Sequence, residues 1–145
     1  MQVKDGNVTY MYNSDGYTRC DITYKNKVFT GRARCLDEDK DFQSEKTGCF
    51  IAERKAFIKQ LKFMKSELVA ALSPLTNFEK TLQSCKKYNP NSFEAKKLRK
   101  EIYIKRKEIQ EIETAIKEEQ DYLTYYIQNK DKFYQRQRAR RGQEQ

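Results

Sequence analysis

The stretch Tyr88-Asn89-Pro90-Asn91-Ser92 decides the fold predicted for this chain, because it separates two long segments of helical periodicity. Pro90 cannot continue a helix, and Ser92 is a residue type that caps the start of the next one. A connection this short makes the two helices antiparallel neighbours. The sequence therefore predicts a long antiparallel α-helical hairpin, similar to a coiled coil, over residues 49–141.

The apolar residues on both sides of the connection repeat every seven positions, as they do in a coiled coil. Counting outward from the connection places Leu82 near Ile102 and Leu75 near Ile109. Two stripes of similar length are thus expected to face each other. The first helix contributes Leu61, Leu68, Leu75 and Leu82 together with Met64, Ala71, Phe78 and Cys85, and the second contributes Ile102, Ile109, Ile116 and Leu123 together with Leu98, Ile112, Tyr126 and Phe133.

The predicted helices run from about residue 49 to 87 and from 93 to about 138. Pro74 lies inside the first helix and predicts a kink or a short break near Ser73, because proline removes a backbone hydrogen bond. Pairing of the second helix with a copy of itself is the alternative to a hairpin. Lys105 and Glu119 lie in its stripe and disfavour a simple parallel zipper.

The N-terminal third has the period-two alternation of β-strands over Val8–Tyr12, Tyr17–Tyr24 and Val28–Cys35. A two-residue turn at Asn26-Lys27 is expected to pair Cys20 with Ala33. The fold class is therefore α+β. We expect a small antiparallel β-hairpin module of two or three strands with an acidic loop in residues 1–48, the helical hairpin in residues 49–141, and a disordered tail in residues 142–145.

The composition favours a thin, highly charged protein over one with a thick globular core. Of the 145 residues, 37% are hydrophobic and 35% are charged, and the net charge is +9. Such an excess of positive charge favours acidic partners: nucleic acid, a protein that handles nucleic acid, or an anionic membrane. Solubility alone is the alternative explanation. No apolar run is long enough to span a bilayer, so we expect a soluble, cytoplasmic protein.

The chain contains no histidine, which removes the commonest general base and every Ser-His or Cys-His nucleophile pair. The five glycines are scattered and form no phosphate-binding loop. We therefore expect a protein without catalytic activity.

The cysteines indicate a candidate metal site. Cys20 and Cys35 share one face of the predicted hairpin, and Cys49 lies at a predicted helix start, where the helix dipole favours a thiolate. Zinc is held well by thiolates with a carboxylate as fourth ligand. The loop after Cys35 supplies candidate carboxylates. The spacing matches no compact zinc knuckle, so structural zinc and plain buried thiols both remain open.

Four arginines near the C-terminus form the candidate partner-binding cluster. A dense run of guanidinium groups can contact phosphates. The alternative is a solvated helix end, whose cations interact favourably with the helix dipole. The cluster consists of Arg136, Arg138, Arg140 and Arg141.

The segment Gly31-Arg-Ala-Arg-Cys-Leu-Asp-Glu-Asp-Lys-Asp-Phe42, followed by Ser44-Glu-Lys-Thr-Gly-Cys-Phe-Ile-Ala-Glu-Arg-Lys-Ala56, resembles a block found in small phage and prophage proteins of Gram-positive bacteria. Lys87-Tyr-Asn-Pro-Asn-Ser92 and the long second helix are also similar to theirs. In the related proteins a histidine often follows the first cysteine of the block, where this chain has Leu36. Asp39 matches the acidic pattern of the block and is the expected fourth zinc ligand.

The resemblance implies a function, because some similar prophage proteins are anti-CRISPR inhibitors of type II-A RNA-guided DNA nucleases. It implies that this chain binds such a nuclease in the host cytoplasm, as a monomer or homodimer, and blocks guide or target-DNA loading. The alternative is a basic nucleic-acid-binding accessory protein of phage replication or gene control. No membrane partner is expected.

Overall fold

The computed structural model describes residues 2–5, 7–12, 16–34 and 45–144. It confirms the α+β class, because an antiparallel sheet is followed by two long helices. Two compact units divide the chain: a sheet unit of residues 1–60 and 117–145, and a hairpin unit of residues 61–116. The elements are β1 (Gln2–Asp5), β2 (Val8–Tyr12), β3 (Tyr17–Tyr24), β4 (Lys27–Arg34), α1 (Glu45–Gln83) and α2 (Phe93–Glu144).

The sheet has four antiparallel strands in the order β1-β2-β3-β4, so it contains one strand, β1, that was not predicted. The turn between β3 and β4 is formed by Lys25 and Asn26, which have φ values of 50° and 62°. Positive φ at both central residues matches the right-handed strand twist. The predicted turn was one residue too late, and Cys20 therefore pairs with Gly31 and not with Ala33.

Helix α1 packs against the sheet through small residues. A side chain at Gly31 would overlap the carbonyl oxygen of Ala52 and approach the backbone nitrogen of Ala56 to 2.6 Å, so the helix and strand backbones are in direct contact. A side chain at Gly48, one turn before Ala52, would in the same way overlap the side-chain hydroxyl of Thr18. Glycine or alanine every fourth residue thus lets the helix lie against the strands. The core of this contact consists of Cys20, Ile22, Ala52 and Ala56, with Val8, Tyr10, Ala33 and Phe57 packed around it.

Two lysines of α1 cover the outer edge of β4. Lys59 Nζ donates a hydrogen bond of 2.6 Å to the carbonyl oxygen of Thr30, and Lys55 Nζ donates one of 3.0 Å to that of Arg32. An edge strand with open carbonyl groups is a template for pairing with another chain. The lysines occupy these acceptors, so β4 is protected as the edge of the sheet.

The two helices also contact each other within the sheet unit. The ring centroids of Phe50 and Tyr126 are 4.4 Å apart, and those of Phe50 and Tyr122 are 5.8 Å apart. Arg54 donates to both carboxylate oxygens of Glu119 at 3.0–3.1 Å. These contacts run in opposite chain directions along the two helices, as an antiparallel pairing requires. They attach the second half of α2 to the start of α1.

The helix bounds differ from the predicted ones at three of the four ends. α1 begins at Glu45, so Thr47 and Gly48 lie inside the helix and not before it. It continues through Pro74 and ends at Gln83, so the alternative of a break near Ser73 is wrong. α2 continues to Glu144, through residues that were predicted to be a disordered tail.

Within the hairpin unit, Ser92 caps α2 as predicted, since its Oγ accepts a hydrogen bond of 3.2 Å from the backbone nitrogen of Ala95. Asn89 Oδ1 accepts one of 3.0 Å from the nitrogen of Asn91, which closes the turn. Arg99 Nη2 donates a bond of 2.6 Å to the carbonyl oxygen of Pro90. The connection is therefore held by its own side chains.

The predicted register of the hairpin is wrong. It would place Lys65 opposite Glu119, but Lys65 Nζ lies 3.1 Å from Glu113 Oε1. The connection spans residues 84–92 and is centred on residue 88, so residues equally far from 88 face each other. The predicted pairs are centred on residue 92, and the late predicted end of the first helix at residue 87 accounts for part of this error, because it moves the centre of the connection from residue 88 to residue 90.

Part of the predicted heptad stripe also lies on the surface. Leu61, Leu98 and Ile102 are buried, but Phe78 is 54% exposed and Cys85 is exposed as well. The second predicted position of the stripe in α1 is therefore not buried where the helix approaches the connection. Within the described ranges, neither helix contains a segment long and apolar enough to cross a membrane.

Candidate functional site

One cluster of polar and thiol side chains lies between the sheet and α1. Tyr10 donates a hydrogen bond of 2.8 Å to Glu53 Oε2. Burial, the hydrogen bond and the charge of Glu53 together raise the pKa of Tyr10. Burial also raises the pKa of the Cys20 thiol to about 12, with smaller contributions from Glu53, Asp21 and Cys49. Both groups are therefore protonated at neutral pH.

Two of the four predicted zinc ligands lie in this cluster. Cys20 is fully buried, and Cys49 is half-buried and close enough to influence the pKa of Cys20. Cys35 and Asp39 lie outside the described residues. Among the side chains that the structure describes, no group of three or more His, Cys, Asp or Glu residues is arranged to hold a metal ion. A zinc site at Cys20 and Cys49 would therefore need further ligands from residues that the structure does not describe, as the predicted ligands Cys35 and Asp39 would be.

The four predicted partner-binding arginines lie in the last turns of α2. Arg136 and Arg140 are exposed, whereas Arg138 is half-buried. Arg138 and Arg141 both interact with other groups of the chain. The cluster is therefore helical, and only part of it projects fully into solvent.

The open face of the sheet carries a second, smaller group of cations. Arg19 and Arg32 lie directly opposite each other on β3 and β4, an arrangement in which like charges repel. Asp21 accepts hydrogen bonds of 3.0 Å from Arg19 Nε and 2.7 Å from Thr30 Oγ1. Partial burial alone would raise the pKa of Asp21, but these hydrogen bonds and the arginine charges outweigh it and lower that pKa. The carboxylate therefore stays ionised and offsets part of the charge of this face.

The largest concentration of charge lies elsewhere, at the turn of the hairpin unit. Residues 80–107 contain ten Lys and Arg residues and only two Glu, a net charge of +8. The whole chain has a net charge of +9, so this segment, which we call the basic end, accounts for nearly all of it. This segment was not predicted from the total charge or from the C-terminal arginines. A count of charge in successive windows would have found the basic end.

Aromatic side chains alternate with lysines on the first turns of α2 within the basic end. Phe93 is 76% exposed and Tyr103 is 66% exposed. The lysines between and after them are also exposed, while Ala95, Leu98 and Ile102 are buried. At 3.6 residues per turn the exposed set shares the face opposite the buried one. We call this face, formed by Phe93, Lys96, Lys100, Tyr103 and Lys107, the lysine–aromatic stripe.

Comparisons with known proteins identified no relative of this chain. No protein-family model matches it, and no similar protein was found among curated proteins or solved structures.

Proposed function

We propose that this protein is a non-catalytic inhibitor that binds a type II-A RNA-guided DNA nuclease in the cytoplasm of a bacterial host and blocks guide or target-DNA loading by occupancy. The sequence block of residues 31–56 suggests the partner, because similar prophage proteins inhibit such nucleases. The observation that carries the binding role is the net charge of +8 within residues 80–107.

The sign of this charge limits the mode of inhibition. A protein that imitates DNA needs an acidic surface, and the basic end is the reverse. A basic surface instead docks on acidic side chains of the nuclease or on the phosphates of its guide RNA. Clustered lysines also accelerate association with an acidic partner at low ionic strength.

A cleavage assay with a panel of type II-A nucleases tests this proposal. We expect the wild-type protein to inhibit cleavage. Replacement of three exposed lysines of the basic end in the Lys86→Gln/Lys87→Gln/Lys97→Gln variant should weaken inhibition about ten-fold or more at moderate salt, because each lost contact also reduces the electrostatic attraction. Undiminished cleavage by every nuclease at excess protein would rule the proposal out.

Two control variants separate the basic end from other cations. Lys62→Gln/Lys117→Gln/Lys132→Gln removes the same charge from exposed positions outside it and should retain inhibition. A second control replaces the C-terminal arginines of the predicted partner-binding cluster with glutamine. If that variant loses inhibition while the Lys86/Lys87/Lys97 variant keeps it, the contact surface is the C-terminal cluster and not the basic end.

The second candidate function is that of a basic nucleic-acid-binding accessory protein of phage replication or gene control. The exposed aromatic rings among the lysines of α2 favour it, because cations and aromatic rings together are typical of surfaces that bind nucleic acid. This function predicts direct binding to DNA or RNA, without a protein partner, and an affinity that falls steeply as salt is added.

Structural zinc is a separate proposal for the sheet unit. The proximity of Cys20 to Cys49 supports it, with Cys35 and Asp39 as the remaining ligands, whereas the complete burial of Cys20 supports the alternative of plain thiols. Elemental analysis of the purified protein distinguishes them. The zinc proposal requires about one zinc per chain, lost in Cys20→Ser and Cys49→Ser but retained in Cys85→Ser. A folded protein without zinc would exclude it.

A further inference from the structure

We infer that the lysine–aromatic stripe of α2 is a docking surface for single-stranded nucleic acid. This inference rests on the second candidate function and deepens it, because it names the surface and the class of nucleic acid. Three features of the stripe support this inference: its position on the helix, the sign of its charge and the exposure of its two rings.

The stripe is a continuous surface on a well-formed helix. Lys96, Lys100 and Lys107 are separated by four and seven residues and extend over about 16 Å at a rise of about 1.5 Å per residue. Ala95, Leu98 and Ile102 anchor the opposite side of the same turns in the hairpin unit. The hydrogen bond that the backbone N–H of Ala95 donates to Ser92 Oγ fixes the first turn. The cations are therefore presented on a preorganised scaffold.

The charge of the stripe has one sign only. Its three polar positions are lysines, and the two carboxylates of the basic end, Glu94 and Glu101, fall on other sides of the helix. Lysine is a compact cation that suits phosphate oxygens, and each phosphate it neutralises releases condensed counterions. A polyanion with regularly spaced charges is therefore the complementary ligand.

The two aromatic rings indicate a single strand and not a duplex. Phe93 and Tyr103 are 76% and 66% exposed, although rings of this size are normally at least partly buried. Unpaired bases stack on such rings, whereas the bases of a duplex are already stacked and covered. Phe93 precedes the first lysine and Tyr103 lies between the second and third, so each ring is next to a phosphate-binding position.

Fluorescence anisotropy with labelled oligothymidylate, labelled oligouridylate and a labelled DNA duplex tests the inference over a range of salt concentrations. We expect the wild-type protein to bind both single strands more tightly than the duplex. The Lys96→Gln/Lys100→Gln/Lys107→Gln variant should reduce the slope of log K against log salt by about 2, as expected for three lost contacts to a single strand. Lys62→Gln/Lys117→Gln/Lys132→Gln is its control, because it removes equal charge elsewhere.

The aromatic rings are tested separately. Phe93→Ala/Tyr103→Ala should weaken single-strand binding about ten-fold or more without changing the salt slope, and it should leave duplex binding unchanged. Phe78→Ala/Tyr125→Ala is the matched control, since these rings are 54% and 63% exposed outside the stripe. All four variants change exposed side chains, and circular dichroism verifies that they fold.

Results that contradict the nucleic-acid function can be distinguished from results that contradict only the assignment of the site to the stripe. If the wild-type protein binds none of the oligonucleotides at low salt, both the inference and the nucleic-acid function fail. If it binds them but the stripe variants behave like their controls, the function stands and the stripe is not the site. Binding to the duplex as tight as to single strands would overturn the assignment to a single strand.

Discussion

The sheet unit and the basic end depend on different physical properties of their residues. The sheet unit is held by close packing, in which the backbone of α1 lies directly against Gly31 of β4. The basic end carries a net charge of +8 in 28 residues, while the other 117 residues together carry +1. Residues that stabilise the fold and residues suited to a partner are therefore concentrated in different parts of the chain. Substitutions in the packed contacts of the sheet unit should affect stability, and substitutions of the exposed lysines of the basic end should affect binding.

The largest expected effect tests the packing of the sheet unit. Gly31→Ala adds a methyl group that overlaps the backbone of Ala52, so the helix has to move away from the sheet. We expect the free energy of unfolding to fall by more than about 3 kcal/mol, measured by urea denaturation.

Gly142→Ala is the matched control for that change, because no other atom lies within 4 Å of a side chain there. It should alter the free energy of unfolding by no more than about 0.5 kcal/mol. Equal stability of the two variants would contradict the close contact between α1 and β4.

Loss of the hydrogen bond between Tyr10 and Glu53 is expected to have an intermediate effect on the free energy of unfolding. Tyr10→Phe removes a partly buried bond to a carboxylate and should destabilise the protein by about 1.5 kcal/mol at neutral pH. Because the folded state raises the pKa of Tyr10, the stabilisation is complete below the unfolded pKa of about 10 and is lost as the pH rises above it.

The difference in unfolding free energy between wild type and Tyr10→Phe should therefore shrink in alkaline solution. Chemical denaturation at a series of pH values measures it. A difference near zero at neutral pH would show that Tyr10 stabilises through ring packing and not through its hydroxyl group, and a difference that stays constant above pH 10 (about the ordinary tyrosine pKa) would contradict a raised pKa of Tyr10 in the folded state.

The smallest expected effect concerns the hairpin unit. Ser92→Ala removes the side-chain cap of α2 and should cost about 1 kcal/mol of local stability. Hydrogen exchange should show faster exchange of the amides near Ala95, with the strands of the sheet unit unaffected.

Ser66→Ala is the control for the cap, because the exposed hydroxyl of Ser66 donates to the carbonyl oxygen of Phe63 within the same helix and caps no helix end. In the Ser66→Ala variant, hydrogen exchange of the backbone amides near Ser66 should be nearly unchanged. Faster exchange across β3 and β4 in Ser92→Ala would contradict the division into two compact units.

Elements defined by short-range patterns were predictable, and those defined by long-range contacts were less so. Ser92 as a cap follows from residue type alone, and three of the four strands follow from alternation. The strand register was wrong by two residues, because the sequence Lys25-Asn26-Lys27 permits turns at adjacent positions. The hairpin register was wrong for a similar reason: Leu82 and the residues after it are compatible with either a longer helix or a turn.

The candidate sites, too, were predictable only in part from the sequence. Cys20 and Cys49 were chosen as ligands of one site, and in the structure Cys49 is close enough to contribute to the raised pKa of the Cys20 thiol. The lysine–aromatic stripe was missed, because each of its lysines alone resembles any solvated helix residue. Recognising it required knowing which face Leu98 and Ile102 bury.

By itself the sequence determined that this protein has an antiparallel sheet followed by a helical hairpin around Asn89 and Pro90, since turns, caps and hydrophobic periodicity act between residues close in the chain. Only the tertiary structure decided where α1 meets the sheet and which side of α2 faces outward. Those features depend on contacts between distant residues, such as Gly31 with Ala52, whose free energy is gained only when both segments are already in place.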